Sequence, residues 1–180
     1  MRAPSTLFAL VVALSSSLAA QQSKARFYVA GGLELTPRAG DGLGFSSQAG
    51  YFRQFARLGL RAGIAYYERH WSYVYPLPWG NVASHYSTVA ATFDITYDLS
   101  RTRARPYLIG GGDVYRSSFL GRSDERGTVE NVKFGVAPVP GAGLRFPLGT
   151  AEAFTELRLH WGSNAAFSGV GLPLTFGIRF

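Results

Sequence analysis

The chain has 180 residues, a formal net charge of +7 and no cysteine. That length suits one domain, and the missing cysteines exclude a disulfide scaffold, a thiolate metal centre and a cysteine nucleophile. The basic balance by itself suggests nucleic acid, but the Lys and Arg residues are scattered singly, which favours an anionic lipid surface over a nucleic-acid partner.

Residues 1–20 read as a secretory signal peptide. Arg2 supplies a positive start, residues 7–14 are continuously apolar, and Leu18-Ala19-Ala20 offers a small-residue cleavage site. The expected domain is therefore 21–180. No later run is long and apolar enough for a membrane-spanning helix. Instead the chain alternates with a period of two, the signature of a strand whose side chains leave on opposite faces.

The first alternating segment covers residues 25–36, with Phe27, Val29, Leu33 and Leu35 on one face and Arg26, Tyr28, Gly32 and Glu34 on the other. Turn-forming residues 37–42 lead to a second strand at 43–53. The third, 57–69, sets Leu58, Leu60, Ala62, Ile64 and Tyr66 against Arg57, Arg61, Tyr67 and Arg69. An aromatic connection, 71–84, leads to a fourth strand at 85–99, with Asp94 and Asp98 on its polar face. The fifth, 105–117, contains Gly110-Gly111-Gly112 and is the least regular. A charged connection, 118–131, precedes a sixth strand at 132–146, where Pro138 and Pro140 predict a bulge or weakened pairing. The seventh covers 151–161 and the eighth 169–180. Longer and tight connections alternate, as in a membrane barrel.

The closing stretch is the most regular. Val170, Leu172, Leu174, Phe176, Ile178 and Phe180 alternate with small or polar residues. It resembles the last strand of bacterial outer-membrane β-barrels, in which such a pattern ending in Phe is the signal read by the barrel-assembly machinery. The resemblance extends over residues 21–180 and is to small barrels of the OmpA/OmpX type. It implies an all-β fold: a closed, eight-stranded, antiparallel, up-and-down transmembrane barrel. It also implies a Gram-negative outer-membrane location with both barrel termini periplasmic, and lipopolysaccharide as a partner. A soluble barrel has the same periodicity turned inside out. The Gly, Ser and Thr of the polar face, its mixed charges and the aromatics at strand ends favour the membrane version.

Catalytic chemistry is thinly represented. His70, His85 and His160 are too far apart in sequence for a standard metal motif, so no metal or cofactor is expected. Gly110-Gly111-Gly112 lies within a strand, where close packing explains it better than phosphate binding. The segment His160-Trp161-Gly162-Ser163-Asn164 is similar to the His-x-Ser-Asn motif of outer-membrane lipid A deacylases. It carries one extra residue, which turns His160 and Ser163 to opposite faces of a regular strand, and no acid follows Ser163.

The expectation is accordingly a monomeric, non-enzymatic barrel with a structural or binding role, exercised through external loops 71–84 and 118–131. Trp71, Tyr73, Tyr75 and Trp79 are the candidate binding residues. A lipid A ester hydrolase using His160 and Ser163 is the alternative. If the hairpin joining the third and fourth strands is symmetric, Arg57 faces Asp98 and Arg61 faces Asp94. Arg145 and Glu152 flank the turn at Pro147. Opposed charges in a narrow interior should pair and fill it.

Overall fold

The computed structural model describes residues 25–35, 44–74, 81–123, 127–162 and 169–180. The signal-peptide reading, Tyr75, Trp79 and Ser163 lie outside them. So do the side chains of Trp71 and Tyr73, whose backbone is in strand.

Alternation becomes ten strand segments: β1 (Arg26–Leu35), β2 (Gly44–Phe55), β3 (Leu58–Val74), β4 (Asn81–Asp98), β5 (Arg105–Ser123), β6 (Gly127–Pro138), β7 (Gly141–Leu148), β8 (Ala151–Arg158), β9 (His160–Gly162) and β10 (Gly169–Arg179). Neighbours pair antiparallel, and β1 pairs with β10 to close the ring. Both β6 and β7 pair with β5 in one register, Gly112 opposite Pro138 and Ile109 opposite Gly141. Likewise β8 and β9 share one register on β10. The wall is therefore an eight-stranded barrel with two interrupted strands.

The apolar set faces out. Phe45, Tyr51, Ile64, Phe93, Ile95, Phe134 and Phe176 are all exposed on the outer wall. The opposite set, including Gln48, Arg61, Thr92, Asp94, Glu156 and Thr175, is buried in the interior. On β3 the outward apolar run from Leu58 to Tyr66 covers about 26 Å at strand rise. With the usual tilt it stands roughly 20 Å tall, close to the apolar band of membrane barrels. At the end where β1 starts and β10 finishes, Phe27 packs against Tyr51 and Phe180, each with ring centroids 5.7 Å apart.

Two of the three connections at this near end are two-residue turns, and the third, between β4 and β5, covers residues 99–104. Phe55 pairs with Leu58, and Leu148 with Ala151. The second of these turns uses Gly149 at φ 61°, a backbone conformation glycine adopts without strain.

The far end departs from expectation. Segments 71–84 and 118–131 are not long loops. β3 and β4 stay paired out to Val74 and Asn81, and β5 and β6 out to Ser123 and Gly127. Beyond the apolar band nothing requires alternation, so the sequence pattern fades while backbone pairing continues.

The prolines act as breaks rather than a bulge. Inward and outward parity is the same before and after them, with Ala137, Val139 and Arg145 all buried. The Val139 N–H still donates to Gly111 O at 2.9 Å. On the other side the last bond is from the Leu159 N–H to Pro140 O, 2.8 Å. Past it, no ladder among the described residues joins β6 to β9.

Candidate functional site: the charged interior

Mid-barrel, Arg61 on β3, Asp94 on β4, and Glu156 and Arg158 on β8 point inward, because each occupies the polar parity of its strand. Arg61 Nε donates to Asp94 Oδ2 at 2.7 Å. Its two terminal nitrogens hold Glu156 Oε1 and Oε2 at 2.6 and 3.0 Å, a two-pronged grip suited to a planar guanidinium. Arg158 completes the circuit, with Nη2 2.7 Å from Asp94 Oδ2 and Nε 3.0 Å from Glu156 Oε2. The Tyr107 hydroxyl also donates to Glu156 Oε1, at 2.6 Å. Two cations and two anions thus alternate around a neutral ring. At the four side chains exposure is 2% or less.

Aromatic rings flank the cations. Arg61 lies 5.2 Å over Tyr28, Arg145 4.0 Å over Tyr107, and Arg179 3.6 Å over Phe52. Quadrupole attraction of this kind is strongest where the charge is desolvated. Glycine makes room for the ring on one side: a Cβ on Gly111 would collide with the Asp94 carboxylate. Its neighbours differ. Gly110 would meet nothing and Gly112 only an ordinary contact, so close packing accounts for just the middle glycine of the three.

Other expected pairs are replaced. Arg57 sits in the β2–β3 turn and is exposed, and its carbonyl accepts the Asp98 N–H at 2.8 Å. The Asp98 side chain goes instead to Arg145, 2.8 Å away. Nor does Arg145 meet Glu152: in the β7–β8 ladder it stands opposite Phe154, while Glu152 stands opposite Pro147. The two-residue Gly149-Thr150 turn sets that register, which moves Arg145's partner two residues along β8 from Glu152 and keeps the inward face. Glu152 is approached at the near end by Arg26 (3.3 Å), Arg179 (3.6 Å) and Arg105 (3.8 Å). Glu34 and Arg69 form a further buried pair at 2.6 Å. Their inward parity was legible in the sequence, but their meeting was not.

The histidines separate into two environments. His160 is buried inside, its ring edge-on to Tyr67 with centroids 4.8 Å apart and its Nε2 3.9 Å from Asp113 Oδ2. It faces away from lipid, the side from which an ester of a membrane lipid must arrive. His70 and His85 lie directly opposite each other on the outer wall. Their distance in sequence therefore did not keep them apart in space.

A closed antiparallel barrel with an apolar outer wall and a charged interior has the architecture of membrane-spanning barrels. Several solved outer-membrane proteins share it. The chain is similar to Neisserial surface protein A, with TM-score 0.58 and 14% identity over 88% of this chain and 98% of that one. A major outer membrane protein of Thermus thermophilus aligns with TM-score 0.57 and 15% identity, covering 87% and 100%. The attachment invasion locus protein Ail of Yersinia pestis, solved with the heparin analogue sucrose octasulfate, aligns with TM-score 0.51 and 13% identity, covering 89% and 100%. No protein-family model matches the sequence, and no curated protein does. At these identities the likeness is one of fold: a small outer-membrane β-barrel.

Proposed function

We propose that this protein is a monomeric, non-enzymatic barrel of the bacterial outer membrane, with a structural or binding role. In this reading the near end, with its tight turns and both barrel termini, is periplasmic. The paired β3–β4 and β5–β6 extensions project outward and carry the interactions, with Trp71, Tyr73, Tyr75 and Trp79 as candidate contacts. Lipopolysaccharide is the natural surrounding partner, met by the exposed Arg116 on the outer wall and by the basic excess. Phe180 and the alternation before it serve as the signal for the assembly machinery.

The observation that carries the reading is the neutral Arg61–Asp94–Arg158–Glu156 ring inside an apolar wall. Eight strands enclose a space that side chains can fill, and this ring fills it with matched charge. Its role is to close the interior. Reconstitution into planar bilayers tests that: no steady conductance is expected, and a stable open channel in the unaltered protein overturns it. The hydrolase alternative predicts ester loss from lipid A that disappears in Ser163→Ala. The inward position of His160 argues for no such loss.

A further inference from the structure

We propose that Glu68, His70 and His85 form a surface site for a divalent transition metal of the zinc class. His70 on β3 and His85 on β4 are directly opposite, and their rings stack with centroids 4.4 Å apart and planes 18° from parallel. Glu68 is two residues before His70 on the same face. Its Oε1 lies 2.7 Å from His70 Nε2 and 3.0 Å from His85 Nε2. One ligand atom from each residue falls within 4.8 Å of the other two. A metal bonded at about 2.1 Å spaces neighbouring ligand atoms by about 3.0–3.4 Å, and each Nε2 lone pair lies in its ring plane, so binding requires the carboxylate to draw back slightly and one exposed imidazole to turn out of the stack.

The chemistry selects the metal. Two imidazoles and one carboxylate suit Zn2+ and its neighbours, whereas Ca2+ and Mg2+ require mostly oxygen ligands. The carboxylate is also held in place: the Tyr66 hydroxyl donates to Glu68 Oε2 at 3.1 Å, leaving Oε1 to the histidines. Such outer hydrogen bonds orient metal ligands. The site is accessible, with side-chain exposure of 62% at His70, 36% at His85 and 32% at Glu68. Tyr66 is the last outward residue of the apolar run on β3, so the cluster begins where the apolar band ends. A bound ion would join β3 to β4 at the root of their far-end hairpin.

Calorimetric titration of the folded chain in detergent micelles with Zn2+ alone tests this, with Co2+ absorption as a second readout. One saturable site is expected, with a visible Co2+ band, undisplaced by excess Mg2+. Affinity should fall at least tenfold in His70→Ala, His85→Ala and Glu68→Gln, and about tenfold in Tyr66→Phe. Zn2+ should also raise the temperature at which the unaltered barrel loses its heat-modifiable gel mobility, but not that of the histidine variants. The same mobility shift reports folding, and His70→Gln or His85→Gln replaces the alanine variant at that position if it fails. Absence of saturation by about 1 mM Zn2+ overturns the proposal. So does binding that survives loss of either histidine, or displacement by Mg2+.

Discussion

Asp94 accepts from two arginines, Arg61 and Arg158, each at 2.7 Å, in a setting with no exposed surface of its own. Removing it leaves both cations short of a partner in a poorly hydrated interior. Breaking a buried pair in this way typically costs 3–5 kcal/mol, more than the intact pair contributes, because the remaining charge stays desolvated. Asp94→Ala should therefore destabilise the barrel by roughly 3–5 kcal/mol in reversible urea unfolding from lipid vesicles. A change under about 1 kcal/mol would mean that the arginines find water or other partners, and that the ring does not hold the interior.

Among the strands, β6 differs most from the rest. It pairs with β5 from Gly127 to Pro138, and no ladder among the described residues reaches it from β9. Pro138 and Pro140 have no N–H to offer a neighbour there. Residues 128–134 are exposed on both faces, so little packing reinforces this hairpin. Local opening costs least where buried contacts are few. Hydrogen exchange should thus show two classes of amide along β6: those bonded to β5 protected, and the alternate set exchanging far faster than amides in the middle of β3 and β4. Uniform protection of β6 would show that its outer edge is covered.

For the whole molecule, the decisive property is which face meets lipid. Phe93 is the middle of the outward series Val89, Ala91, Phe93, Ile95 and Tyr97, and is 60% exposed. In a bilayer, arginine at mid-depth of the lipid-facing wall costs about 2–4 kcal/mol, falling to about 0–1 near the interfaces. Phe93→Arg should lower stability in vesicles by that larger amount. Val129→Arg, on the far extension of β6, should be close to neutral. Equal effects at the two positions would contradict a wall that is apolar because it faces lipid.

The sequence by itself determined which side chains face in and which face out, because facing follows from a local period of two. It also carried the number of strands, through the eight alternating segments. The symmetric β3–β4 register puts Arg61 opposite Asp94, and the same register, followed outward, puts His70 opposite His85. Only the tertiary structure decided the contacts across the interior. Arg61 on β3 reaches Glu156 on β8, and Arg145 on β7 reaches Asp98 on β4. These strands are not neighbours in the wall, so which residues meet depends on the curvature and stagger with which the sheet closes, and alternation along a strand carries no information about either.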